Sequence, residues 1–228
     1  MDLNIDLWME KYLEKLKGLF GSRLEFVGLQ GSYGRGEATE ESDIDVVVIL
    51  DHAAPKDLAA YSNMLDTLPY RRKMCGFISG HEELENWERS DLFQFYYDTT
   101  PILGSMEFLK ENISREDIRR AVRIGACNLY HMCGHNMIHE KSPEILKGLY
   151  KSSVFTVQAI FYLQTGTYIK KKTDLLSLLQ SQEQQILKIA MDIKKKPELA
   201  YAEFETLSDQ LFRWSSQLMR ADSVKLTK

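Results

Sequence analysis

Residues 26–50 read FVGLQGSYGRGEATEESDIDVVVIL, and this stretch decides the fold. An apolar run, Phe26 to Leu29, meets Gly31–Ser32 and then two further glycines, Gly34 and Gly36. After a short polar segment the chain returns as Asp43-Ile44-Asp45 and enters the β-branched run from Val46 to Leu50. Such a run reads as a buried strand. Side chains two apart on a strand share a face, so Asp43 and Asp45 point together while Ile44 turns into the core. Two carboxylates held this close repel each other unless a cation lies between them. Carboxylate oxygens suit Mg²⁺, which keeps coordination positions for water and substrate phosphates. The Gly31–Ser32 turn, just past the first strand, offers backbone N–H groups, a hydroxyl and a helix start to an anion. Strand, small-residue turn, short helix and acid-bearing strand together predict a phosphoryl-transfer site.

The same residues carry a resemblance. Gly31-Ser32, Arg35-Gly36 and, eleven positions after Ser32, Asp43-x-Asp45 resemble the signature of the DNA polymerase beta-like nucleotidyltransferase superfamily. Its small bacterial branch includes the aminoglycoside nucleotidyltransferases and the minimal nucleotidyltransferases. The resemblance implies Mg²⁺-dependent transfer of a nucleoside monophosphate from ATP, or a related NTP, to a hydroxyl. It makes Asp43 and Asp45 the catalytic metal ligands and sets Gly31 and Ser32 against a terminal phosphate, with Arg35 as a charged donor to the phosphates. Members commonly add a third carboxylate from a neighbouring strand, as metal ligand or as base. Here the run MCGFIS, residues 74–79, holds no acid. Asp98 is the substitute, as catalytic and metal-binding residue, with Glu82 the second choice; Asp98 reads equally as a cap on the Thr99–Pro101 turn. In the related resistance enzymes both domains line the cleft. Lys171, in the Ile169–Lys172 basic run, is therefore the candidate phosphate clamp from the second domain.

Composition sets the frame for this chemistry. The chain has 228 residues, 44% hydrophobic and 27% charged, enough for a substantial core in one large or two small domains. No apolar run approaches a membrane span, and the acidic start MDLNIDLWME lacks the basic-then-apolar order of a secretory leader. Cys75, Cys127 and Cys133 form neither a disulfide framework nor a zinc spacing, so a reducing, cytoplasmic setting is expected. Charge is uneven: residues 1–113 hold 11 Lys and Arg against 21 Asp and Glu, and residues 114–228 hold 18 against 12. An acidic metal-binding half and a basic half suit a polyanion–Mg²⁺ complex, although long helices also simply collect lysine.

The patterning predicts α+β architecture: a small mixed-sheet nucleotidyltransferase domain over 1–112, then a four-helix bundle-like domain over 113–228. Within the first, helices are expected at 5–20 and 56–67, the latter burying Leu58, Tyr61, Met64, Leu65 and Leu68. Strands are expected at 23–30, 44–50, 70–80 and the aromatic run 92–98. From Ser114 the period becomes helical, with helices predicted to about 140 and over 146–165, 175–195 and 198–221. In the first of these, His131, His135 and His139 recur every four residues. That stripe reads as zinc ligands, as substrate-cleft lining, or as interface and core residues.

The predicted acceptor is a small molecule, an aminoglycoside among the candidates. Nucleotidylation of a protein or an RNA end is the rival within the enzyme class. A non-catalytic interaction protein retaining the fold is the rival outside it, prompted by the acid missing from MCGFIS.

Overall fold

The computed structural model describes residues 3–221. Their contacts divide the chain into two compact units, Met1–Ile113 and Ser114–Lys228. The first unit is a four-stranded mixed sheet covered by helices. Its elements are α1 (Ile5–Phe20), β1 (Leu24–Leu29), α2 (Gly31–Arg35), β2 (Ile44–Leu50), α3 (Pro55–Leu65), β3 (Met74–Gly80), α4 (His81–Glu85), α5 (Arg89–Asp98), β4 (Thr100–Leu103) and α6 (Glu107–Lys110). The strands lie in the order β3-β2-β1-β4. β2 pairs antiparallel with β1 and parallel with β3, and β4 closes the other edge antiparallel to β1. Pro101, which cannot donate to a ladder, is accommodated on that edge strand.

The alternation expected for β2 sorts the sheet into two cores. Ile44, Val46, Val48 and Leu50 pack with Val27 and Leu29 beneath Trp8, Tyr12 and Leu16 of α1 and Leu65 of α3. Val47 and Ile49, with Phe26, meet Leu84 of α4, Leu92 of α5 and Leu109 of α6 on the opposite face. Each large apolar side chain buried in this way contributes about 1.5–3 kcal/mol. α1 begins where the Asn4 side chain accepts the Leu7 N–H at 3.1 Å, a cap that satisfies one orphan donor. α3 begins on Asp57, whose Oδ2 accepts the Ala54 N–H at 2.9 Å. Arg23, at the entry to β1, holds the same carboxylate with two bonds of 2.9 and 3.0 Å.

Three expectations are corrected here. Residues 92–98 are helix, the body of α5, and the fourth strand is the shorter Thr100–Leu103. Leu92 and Phe93 are adjacent and both buried, a pattern no half-buried strand can make. Leu58 lies on the outer side of α3, 46% exposed. The helix expected over 175–195 is two, broken at Leu179.

The second unit is helical: α7 (Arg115–His135), α8 (Pro143–Thr165), α9 (Lys172–Leu178), α10 (Ser181–Ile193) and α11 (Tyr201–Arg220). Ser114 caps α7 in a reciprocal box with Asp117, as the sequence spacing predicts. The last turn of α7 widens into a π-turn, Asn136–Glu140, ending at Lys141 in the left-handed region. Asn136 clips that end by bonding both the N–H and the carbonyl of Ser142. α7 and α8 approach closely at Gly125, where a Cβ would come within 2.4 Å of Thr156 Oγ1. Tyr150 on α8 donates to the Leu207 carbonyl on α11 at 2.9 Å. Among the described residues, no helix is long and apolar enough to cross a membrane.

Candidate active site

The decisive geometry lies between the end of β1 and the start of β2. Gln30 follows β1 in extended conformation, and its N–H donates to the Asp45 carbonyl at 2.8 Å. Gly31 then turns with φ +63° and opens α2. A Cβ on Gly31 would sit 2.0 Å from Asp45 Oδ2. Only glycine supplies both the left-handed backbone and the missing side chain. The serine turn is therefore built directly against the second acid, with Ser32 and Asp45 both half-buried at the surface of the site. Gly34 allows the same kind of approach to β1, since a Cβ there would meet the Leu29 carbonyl oxygen at 2.5 Å. Gly36 ends α2 in the left-handed region.

Asp43 immediately precedes β2 and is exposed, while Ile44 between the two acids is wholly buried toward α1 and α3. Asp45 therefore takes the other face, the one it shares with Val47 and Ile49. Across the parallel pair its register partner on β3 is Cys75, whose side chain falls on the same face and whose residue is exposed. The sheet position facing Asp45 thus carries a thiol rather than an acid.

The structure joins two of the sequence-predicted site residues to each other. Arg35 Nη1 donates to Asp98 Oδ2 at 2.9 Å, and Arg35 Nε donates to Glu37 at 3.1 Å. Asp98 is almost fully buried at the C-terminus of α5, and the Arg35 side chain is only 10% exposed. The Asp98 carboxylate thereby ties the α2 turn to α5. Glu82 is exposed on α4. Lys171 belongs to the second unit, as the N-cap residue of α9. His131, His135 and His139 are exposed, which removes the core reading of that stripe; the His135 and His139 ring centroids stand 4.8 Å apart. Among the described residues, no three His, Cys, Asp or Glu side chains gather closely enough to hold a metal ion.

The donor set at β2 nevertheless fits Mg²⁺. Asp45 against the serine turn, with Asp43 two residues before it, is an oxygen donor pair of the kind this ion accepts when substrate completes its shell. Sequence reasoning passed over Gln30, whose side-chain amide donates to Thr99 Oγ1 at 2.8 Å and links the turn to the end of α5. It also passed over an open cavity of about 320 Å³ on the Asp45 face, lined in part by Gln30, Phe77, Trp87, Asp91, Phe95 and Asp98. Reading α5 as a strand hid this wall. The signal was the acid Asp91 within the first turn of a helix.

Residues 9–116 match the family model of the nucleotidyltransferase domain. Two candidate protein adenylyltransferases of Methanocaldococcus jannaschii are related in sequence. One is 35% identical over 68 residues, 30% of this chain and 63% of the relative. The other is 37% identical over 49 residues, 22% of this chain and 49% of the relative. The chain thus spans about half to three-fifths of the length of these curated relatives. The crystal structure of the spectinomycin adenyltransferase from Enterococcus faecialis, with ATP and spectinomycin, has a similar fold at a TM-score of 0.59. It is 14% identical, and the likeness covers 96% of this chain and all of that one.

Proposed function

Since residues 9–116 match the family model of the nucleotidyltransferase domain, we propose that the chain transfers the adenylyl group of ATP to a hydroxyl of a small molecule. The observation that carries the reading is the abutment of Gly31 on Asp45. It sets the serine turn, which would bind phosphate, beside the acid pair at one end of the two central strands. Asp43 and Asp45 would hold Mg²⁺, and the ion would supply neutralisation of the triphosphate. Ser32 offers its hydroxyl and N–H to a phosphate, and Gly31 permits the close backbone approach. In the transfer, the acceptor oxygen bonds to the α-phosphorus, the bond to the bridging oxygen breaks, and pyrophosphate leaves with that oxygen. The hydroxyl proton passes to solvent or to a base.

A small-molecule acceptor is supported by the fold shared with the spectinomycin enzyme and by the open cavity beside Gln30. A protein acceptor is the second reading, favoured by the printed descriptions of the two archaeal relatives. The test is ATP binding with and without Mg²⁺, followed by transfer from α-labelled ATP to hydroxyl compounds and to proteins. Mg²⁺-dependent binding lost in Asp43→Asn/Asp45→Asn, with label recovered on small molecules, supports the first reading. Label confined to protein moves the acceptor to the second. Binding that ignores both the ion and the double variant removes the proposal.

A further inference from the structure

Three of the five histidines recur along one helix of the second unit, and the adenylyl-transfer reading gives them no task. His131 and His135 belong to α7, and His139 to the π-turn that closes it. All three are exposed. Successive members lie four residues apart, yet the two gaps differ. The His131 and His135 ring centroids, within regular α-helix, stand 6.5 Å apart, whereas those of His135 and His139 stand at 4.8 Å. The second gap crosses the π-turn, marked by the Lys141 N–H donating to the Asn136 carbonyl at 2.7 Å. Bonding over five residues lowers the rise per residue below that of an α-helix, whose four-residue step climbs about 6 Å. The shorter spacing is the one a shared ion sets. With metal–nitrogen bonds of about 2.0–2.1 Å, two imidazoles on one square-planar or tetrahedral ion hold their centroids about 4.5–5.2 Å apart. The two rings are inclined at 49°, so they are not stacked on each other.

We propose that His135 and His139 chelate a divalent transition-metal ion across the π-turn. Imidazole nitrogen suits Zn²⁺ and Ni²⁺, whereas the oxygens of Asp43 and Asp45 suit Mg²⁺. The chain then carries two cation sites of different chemistry, and the histidine site lies outside residues 9–116. Among the described residues, no third His, Cys, Asp or Glu joins the pair. The site is therefore open, with water in the remaining positions and the ion exchangeable, unlike a closed structural site with four protein ligands. The bound ion fastens the last residue of α7 to the turn beyond it, where Asn136 already clips Ser142. An ion held by the folded turn and not by the unfolded chain stabilises the second unit.

The probe is Ni²⁺, titrated by calorimetry into the full chain in excess Mg²⁺. Cys75→Ser/Cys127→Ser serves as the background, because both thiols are exposed and compete for the ion. One Ni²⁺ per chain should bind saturably and raise the midpoint of thermal unfolding. His135→Ala and His139→Ala, both at exposed positions, should each weaken binding about tenfold or more and abolish the thermal shift. His131→Ala should leave the affinity within about twofold, since its ring lies at the longer spacing. Asp43→Asn/Asp45→Asn should bind Ni²⁺ as the background does, which separates this site from the phosphate chemistry. No saturable binding, an equal loss in all three histidine variants, or loss in the acid variant would overturn the proposal. So would background-like binding by His135→Ala/His139→Ala with native circular dichroism.

Discussion

Arg35, at the end of the glycine turn, and Asp98, at the end of α5, are bonded at 2.9 Å with both side chains nearly removed from water. In sequence they are remote, and each was expected to face the substrate. In the folded unit the pair welds the segment that follows β1 to the helix that leads into β4. A pair with this burial is strained by loss of one member more than by loss of both, because the survivor keeps its desolvation cost.

Arg35→Met should therefore destabilise the first unit by about 3–5 kcal/mol, read from the urea midpoint. Arg35→Met/Asp98→Leu should recover part of that loss. A single variant as stable as the parent would show that the pair contributes nothing to the fold.

Gly31→Ala should damage binding more than folding. The left-handed backbone alone costs about 1–2 kcal/mol for a residue with a Cβ. The new methyl would also stand where Asp45 Oδ2 now lies, so the carboxylate must move. Mg²⁺-dependent ATP binding is expected to fall about tenfold or more, measured by calorimetry on protein that still unfolds cooperatively.

Asp57 makes the first unit acid-sensitive. Its bonds from Arg23, and then the bond from the Ala54 N–H, hold its carboxyl well below the ordinary carboxylate value. A depressed folded value means that the contribution is complete above about pH 4, the ordinary aspartate value, and is lost as pH falls below it. The urea midpoint should drop as pH is lowered from about 5 toward 2, and Asp57→Asn should flatten that slope while lowering stability at neutral pH.

The three thiols should separate by reactivity. Burial pushes Cys133 up to about 11, whereas Cys75 and Cys127 are exposed. The thiolate is the reacting form, so a disulfide reagent at pH 8 should modify Cys75 and Cys127 promptly. Cys133 should react only after unfolding. Prompt reaction of all three in native protein would contradict the packing of Cys133, on α7, against the Ser208 carbonyl of α11.

Much of the first unit was legible because its signals are local. The β-branched run of β2, the glycines after β1 and the Ser114–Asp117 box each depend on a few adjacent residues. α5 was not legible for the opposite reason. LFQFYYD is aromatic-rich, and seven such residues carry no period that separates strand from helix. Its burial is set by Leu84, Leu109 and Phe26, brought from elsewhere in the chain. The break between α9 and α10 at Leu179-Gln180 lacks glycine and proline, so nothing in the sequence marks it. In the site, the acid pair and the serine turn could be read from spacing. The Arg35–Asp98 bond, the Cys75 register and the cavity wall of Phe77, Trp87 and Phe95 could not, since each joins residues that only the fold brings together.

Gly31, Gln30 and Asp45 are locked to one another through β1 and β2, while the cavity beside Gln30 is walled largely by the stretch from β3 to α5. The serine turn and that cavity thus stand on separable portions of one small sheet. Exchanging residues 81–98 with those of a relative, with Asp98 retained to keep its tie to Arg35, should therefore rebuild the cavity wall as a cassette and leave Mg²⁺-dependent ATP binding as in the parent.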